Sequence, residues 1–219
     1  MSFCLILLAA GNSKRFGSKL PKPYNKIAGK TLIEYSLNKF KQINQIKKII
    51  LVINQKHKNL ANEIKEAKIS KIIGGKSRQD STLKALTYLK KNYTFKNVLI
   101  HDAARPNFSM NLVKKIINKS KNSSVIPRMH IQDALKEKFD KKNILNLNRK
   151  NFFITQTPQS FRFKNIFNLH VTNKLSYMDD DMSLVENLNN VTFVEGEKRN
   201  FKITTKQDMS LLERFLNYN

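Results

Sequence analysis

Continuous apolar runs alternate with stretches whose apolar residues recur at helical spacing. Residues 3–8 (FCLILL) are apolar without a break, the pattern of a strand covered on both faces. Residues 31–40 (TLIEYSLNKF) follow a helical period. Thr31 stands where an N-cap belongs, and Glu34 follows at the distance a capping box requires. Residues 48–52 (KIILV) predict a second strand, and 56–68 a helix with Leu60, Ile64 and Ala67 on its apolar face. Residues 69–73 read as a short strand ended by Gly74-Gly75, and 77–91 as a helix with Leu83, Leu86 and Leu89 inward. Residues 97–100 (NVLI) form a strand running into HDAARP, 110–119 a helix and 124–127 a strand. This alternation predicts an α/β fold, a Rossmann-like and mostly parallel sheet flanked by helices. Right-handed crossovers would gather the strand C-termini on one edge, where ligands bind.

Residues 127–153 break the alternation. Period-two stretches such as Ile144-Leu145-Asn146-Leu147-Asn148 predict an antiparallel excursion, a protruding β-hairpin arm at about 128–153. A polar arm with an apolar stripe commonly packs on a second subunit. Beyond it come QTPQSF, a helix near 163–169, an acidic turn at 179–181, a helix over 183–188, a strand at 191–194 and a last helix over 206–218. Neither repeats nor a linker interrupt the chain, so residues 1–219 read as a single domain carrying that arm.

Composition narrows the classes. A 40% hydrophobic content supports a core, and one cysteine, Cys4, excludes an internal disulfide and a multi-cysteine zinc site. Cys4 fits a buried strand position in a cytoplasmic protein. Apolar runs fall short of the roughly 20 residues that cross a membrane. The first residues lack the basic region of a signal peptide. Forty-one Lys and Arg against 16 Asp and Glu give a net charge of +25, which attracts phosphates, nucleic acid included. The lysines are spread along the whole length among Asn and Ile, as in Lys47-Lys48-Ile49-Ile50. That favours a solvated surface of biased composition, with anionic substrates as a further reason, over specific nucleic-acid binding. A basic nucleic-acid-binding protein without catalysis would need aromatics interleaved with basic residues, and no such set stands out.

The candidate chemistry begins in LAAGNSKRFGSKLPKPY, residues 8–24, at the end of the first strand. It is neither a Walker A loop, since five residues separate Gly11 from Gly17, nor a dinucleotide fingerprint, since Ser13 stands where the second glycine belongs. Small Ala9, Ala10 and Gly11 let a base or phosphate approach the backbone. Arg15 and Lys22 are donors without acceptors, suited to a polyphosphate. Pro21 and Pro23 restrict the backbone around Lys22. On these grounds alone a solvated basic loop is an equally open reading.

The stretch resembles the L-A-A-G-x-G-x-R signature of nucleotidyltransferases that activate sugar or polyol phosphates. More narrowly, the chain is similar to the 2-C-methyl-D-erythritol 4-phosphate cytidylyltransferase family. Gly74-Gly75-Lys76-Ser77-Arg78-Gln79-Asp80-Ser81, His101-Asp102-Ala103-Ala104-Arg105-Pro106, Gln156-Thr157-Pro158-Gln159, Val194-Glu195-Gly196 and Asn200-Phe201-Lys202-Ile203-Thr204 match the family's segments in order. The resemblance implies attack of a polyol phosphate on the α-phosphorus of CTP, with Mg²⁺ or another divalent cation bridging the triphosphate. It implies Arg15, Lys22 and Lys202 as catalytic cations, and Ala9, Ala10, Gly11, Gly75, Ser81 and Asp102 at the nucleotide. It implies Asp102, Arg105 and Arg149 at the polyol phosphate, with Asp102 also near the metal. Arg149 would reach a neighbouring subunit's site, making a homodimer part of the mechanism. His101 is expected to support its loop. Some members carry an additional zinc-dependent cyclase; the chain's end soon after its last helix leads us to expect no such activity here.

Departures from the family pattern are Ser13, Pro23 where many members carry glutamine, Ala134 and the Met178-Asp179-Asp180 run, the last two lacking hydroxyls expected on the polyol side. A ribitol 5-phosphate cytidylyltransferase is the neighbouring alternative. Ala10 and Ala104 favour methylerythritol phosphate over it, because that group's motifs more often read L-A-G-G and H-D-A-V-R-P.

Overall fold

The computed structural model describes residues 1–11, 16–17, 20–140, 142–173, 178–185 and 188–217. In chain order the strands are β1 (Phe3–Ala9), β2 (Lys26–Ile27), β3 (Lys30–Thr31), β4 (Ile46–Ile53), β5 (Ile69–Ile73), β6 (Asn97–Asp102), β7 (Ser124–His130), β8 (Leu135–Lys138), β9 (Ile144–Leu147), β10 (Phe153–Thr155), β11 (Gln159–Arg162) and β12 (Val191–Glu195). The helices are α1 (Leu32–Lys41), α2 (Lys58–Asn62), α3 (Arg78–Asn92), α4 (Met110–Lys119), α5 (Phe163–Thr172) and α6 (Lys206–Asn217).

The main sheet has eight strands in the order β10-β7-β11-β6-β1-β4-β5, with β12 beside β7. Its half β6-β1-β4-β5 is wholly parallel. In the other half β11 runs antiparallel to β6 and β7, and β10 antiparallel to β7, while β12 pairs with β7 in parallel. Both faces of β1 are covered. Phe3, Leu5 and Leu7 join one core with α1 and α4, through Ile33, Leu37, Phe40, Leu112 and Ile116. Cys4 and Ile6 join the other with α3 and α5, through Ala85, Leu86, Leu89 and Ile166. Alternating side chains of one strand thus feed two cores, which is why its sequence is apolar throughout. Each such buried aliphatic side chain contributes about 1.5–3 kcal/mol.

The α1 capping box forms as expected: Thr31 Oγ1 accepts from the Glu34 amide at 3.2 Å, and Glu34 Oε2 accepts from the Thr31 amide at 2.7 Å. Four expectations need correction. The segment 56–68 is helical only as a short turn, Gln55–His57, and α2. Ala61 is its one fully buried residue, too little burial to hold a longer helix. Leu83 is half exposed; Ala85 takes the inward position beside Leu86 and Leu89. The segment expected to be helical over 183–188 begins instead with a 3₁₀ turn, Asp181–Leu184, capped by the Asp180 carboxylate accepting from the Ser183 amide; Glu186 and Asn187 lie outside the described residues. The arm is present as the antiparallel pair β8–β9. It starts later than expected because β7 runs on to His130 and pairs with β10. No described helix is long and apolar enough to cross a membrane.

Candidate active site

Strands β1 and β6 end side by side, tied by the Ala103 amide donating to the Leu8 carbonyl at 3.0 Å. At this edge lies a cleft of about 220 Å³, lined by Ala9, Ala10, Gly11, Lys22, Gly75, Ser81, Asp102 and Lys202 among others. Segments far apart in sequence meet there. The Ile203 amide donates to Ala104 O at 2.8 Å, laying the C-terminal segment along the loop after β6. Lys22 Nζ donates to Ile203 O at 2.5 Å, and Lys202 Nζ stands 2.8 Å from Asp102 Oδ2.

The Gly74-Gly75 turn needs glycine for space. Among the described residues the positive-φ glycines are Gly17 and Gly29, so left-handed backbone is not the reason here. A Cβ on Gly74 would stand 2.6 Å from Ala10 Cβ, and one on Gly75 2.2 Å from Asp80 Cβ. The turn therefore lies flat between the first loop and the first turn of α3. That helix opens with a second capping box, Ser77 with Asp80. Lys76, Ser77, Arg78 and Ser81 line the cleft, so the positive end of the helix dipole adds to it. Ser81 is buried, its hydroxyl accepting from the Gly75 amide at 3.0 Å and donating to Ser77 O at 2.8 Å. One lone pair remains for a ligand.

Asp102 is buried at the end of β6. Burial by itself raises its carboxyl, but Arg78, Lys202 and Arg105 outweigh that and hold it well below the usual carboxylate range. It is the one carboxylate among the described residues lining the cleft, against Lys22, Lys76, Arg78 and Lys202. Beneath it, burial pushes the His101 imidazole down to about 3, so the ring is neutral. His101 Nδ1 lies 3.0 Å from Thr157 Oγ1, Nε2 lies 3.0 Å from Arg105 O, and the ring packs edge-on to Phe40 and Phe108.

Of the residues expected from sequence, the structure brings Ala9, Ala10, Gly11, Lys22, Gly75, Ser81, Asp102 and Lys202 to this one cleft. Arg105 lies beside it, donating to Asn200 O at 2.8 Å. Arg149 sits exposed in the turn Arg149–Asn151 and donates to Gln132 O on the arm, apart from the cleft of its own chain. Arg15 lies outside the described residues, as does Ser13. The sequence reading gave no role to Arg78, although its motif was recognised. Its guanidinium spans two carboxylates, Nε to Asp102 Oδ1 at 3.2 Å and Nη2 to Asp181 Oδ2 at 2.8 Å. Its place at the start of α3 is the signal that could have pointed to it; His170, paired with Asp181, gives no such signal.

A family model described as 2-C-methyl-D-erythritol 4-phosphate cytidylyltransferase matches residues 3–218. The chain is 44% identical over 211 residues to a bifunctional IspD/IspF enzyme of Pelagibacter ubique, covering 95% of this chain but 56% of that one. It is 35% identical over 219 residues to the 2-C-methyl-D-erythritol 4-phosphate cytidylyltransferase of Caldicellulosiruptor bescii, covering 97% and 96% of the two. The crystal structure of 4-diphosphocytidyl-2C-methyl-D-erythritol synthase from Anaerococcus prevotii superposes with a TM-score of 0.83 at 30% identity, over 99% of this chain and 96% of that one.

Proposed function

Because the chain belongs to the 2-C-methyl-D-erythritol 4-phosphate cytidylyltransferase family, we propose that its cleft transfers CMP from CTP to 2-C-methyl-D-erythritol 4-phosphate. A phosphate oxygen of the polyol attacks the α-phosphorus of CTP. The bond from that phosphorus to the bridging oxygen breaks, pyrophosphate leaves, and 4-diphosphocytidyl-2-C-methyl-D-erythritol forms. A phosphate monoester is ionised at neutral pH, so no general base is needed. The residues need only bring two anions together and stabilise charge on the transferred group.

The observation that carries the reading is the meeting of Lys22, Lys202 and Asp102 at the end of β6. Lys22 and Lys202 face the α-phosphate, and the charge they supply is fixed before substrate arrives; the resemblance gives Arg15 the same role. Ala9, Ala10, Gly11, Gly75 and Ser81 take the nucleotide, the two glycines keeping side chains out of the way. Asp102 and Arg105 take the polyol phosphate. A divalent cation fits this donor set as a phosphate-borne ion. The described residues hold no group of three His, Cys, Asp or Glu that could cage a metal, and Mg²⁺ is commonly held by one carboxylate plus substrate phosphates. Asp102 would hold it, and the ion would neutralise triphosphate charge. Arg149 reaches the site of a second subunit; the exposed apolar side chains of its arm, Phe139 at 77% and Ile144 at 68% exposure, support such an interface.

The test is pyrophosphate release by the purified chain with CTP, Mg²⁺ and either methylerythritol phosphate or ribitol 5-phosphate. Preference for the first is expected. Turnover of the second alone would reassign the substrate, consistent with the hydroxyls missing at Ala134 and Asp179. Inertness towards both, with salt-sensitive nucleic-acid binding, would overturn the reading.

A further inference from the structure

Asp181 is fully buried and does not line the cleft. A buried carboxylate is tolerated only when both oxygens are satisfied. His170 Nε2, on α5, donates to Oδ1 at 3.0 Å, and Arg78 Nη2 donates to Oδ2 at 2.8 Å. Burial alone would raise the Asp181 carboxyl; Arg78 and His170 reverse that and keep it ionised. Arg78 is thereby shared. Its shorter contact goes to Asp181, its longer one, 3.2 Å, to Asp102. Asp102 is drawn the other way by Lys202 at 2.8 Å. Arg78 Nη1 is buried and meets no acceptor among the described residues, so the guanidinium has a spare donor. The neighbouring Asp180 does not compete for it by direct contact: Thr155 and Gln159 donate to its Oδ2, and Ser183 to its Oδ1.

We infer that Asp181, steadied by His170, is a positioning residue: through Arg78 it sets where the Asp102 carboxylate stands in the cleft. With Asp181 charged, Arg78 is held at the cleft wall with its shorter contact turned to Asp181, and Asp102 keeps its contact with Lys202 and lone pairs open to a ligand. With Asp181 uncharged, the whole pull of Arg78 falls on Asp102, which turns towards the guanidinium and away from Lys202. The kinetic consequence rests on the transfer reading above; the structural consequence rests on geometry alone.

Asp181→Asn tests it in two ways. In its crystal structure Asp102 should have left Lys202 for Arg78; an Asp102–Lys202 contact unchanged from the parent chain would overturn the inference, even if the parent proves inert as a transferase. In steady-state assays the KM for the polyol phosphate should rise about 10- to 100-fold, the range typical when outer partners of ligating groups are lost. The KM for CTP should move less, because CTP shares only its phosphate-borne cation with Asp102 and keeps Ala9, Ala10, Gly11, Gly75, Ser81 and Lys22. A purely structural part for Asp181 predicts a different result, a lower kcat that follows the folded fraction with both KM values unmoved, and that result would also overturn it. Should Asp181→Asn fail to fold, Arg78→Lys serves. It keeps the charge but cannot bridge two carboxylates, and the same split between the two KM values is expected. A parent chain that turns over normally, with no split in Arg78→Lys, defeats this inference and leaves the transfer reading standing.

Discussion

Replacing Lys202 by Met separates the energetics of folding from those of the reaction. The substitution keeps most of the stem and removes only the ammonium. That ammonium stands 2.8 Å from Asp102 Oδ2, and the lysine side chain is 38% exposed. So open an ion pair is screened by water and contributes no more than about 1 kcal/mol to stability. In a chain of 219 residues, that amounts to a fall in Tm of about 2–4 °C at most. Asp102 keeps Arg78 at 3.2 Å, so its carboxylate is not left bare. In the proposed transfer the same ammonium faces the charge that gathers on the transferred phosphoryl group, where it is fixed in advance. Losing one such donor costs about 10²–10³ in kcat, roughly 3–4 kcal/mol. The expected signature is therefore a large kinetic loss beside a small thermal one. Pyrophosphate release and thermal unfolding measured on one preparation would show it. A rate loss below about tenfold would refute the charge assignment, since it falls far short of a preorganised donor. So would a fall in Tm large enough for unfolding to explain the lost rate.

Three further outcomes follow from other parts of the structure. Gly75→Ala places a Cβ 2.2 Å from Asp80 Cβ and 3.0 Å from its backbone carbon, so the start of α3 must shift at a cost of about 1–3 kcal/mol; both Tm and the KM for CTP should suffer, and unchanged values in both would contradict the packing. Arg149→Ala removes an exposed side chain that donates to the Gln132 carbonyl; stability should hold while the KM for the polyol phosphate rises, and a loss confined to CTP would exclude the cross-subunit role. His101 gives a pH dependence: the unfolded chain takes up a proton below about 6.5, whereas the buried ring resists protonation down to about 3. Its contribution to stability is complete above about 6.5 and is lost as pH falls towards 3. Urea unfolding between those limits should show a shallower acid-side slope for His101→Gln than for the parent, and equal slopes would count against a neutral buried imidazole.

The parallel half of the sheet was legible because its strands are covered on both faces. A strand such as Phe3–Ala9, feeding two cores, can hardly be anything but apolar throughout. The mixed half was less legible. Strand β12 pairs in parallel with β7, joining Val191 to Ser124 and Val194 to Pro127, and no local pattern announces a partner so distant in sequence. The helix expected at 56–68 failed for a related reason: Leu60 and Ile64 have helical spacing, yet they only pack partly against the core. Periodicity names a face and cannot say whether anything waits to cover it.

At the site the loops were readable because strand ends carry residues that no core requires. Lys22, Asp102 and Lys202 each stood out within a motif, but their relation to one another did not. Arg78 shows why: its two carboxylate partners lie 24 and 103 residues further along the chain. The need for Asp102 follows from the same geometry. Lysines and an arginine converging on one small cleft repel each other, so an arrangement ready for phosphates must contain a compensating charge until they arrive. Asp102 supplies it, paired with Arg78 on one oxygen and Lys202 on the other. Its strongly depressed carboxyl is the measure of how much those cations favour its ionised form. Lys22 turns instead to a backbone carbonyl, Ile203 O, one residue from Lys202. The work of assembling like charges is thus done during folding, and in the proposed transfer incoming phosphates would meet cations already in place.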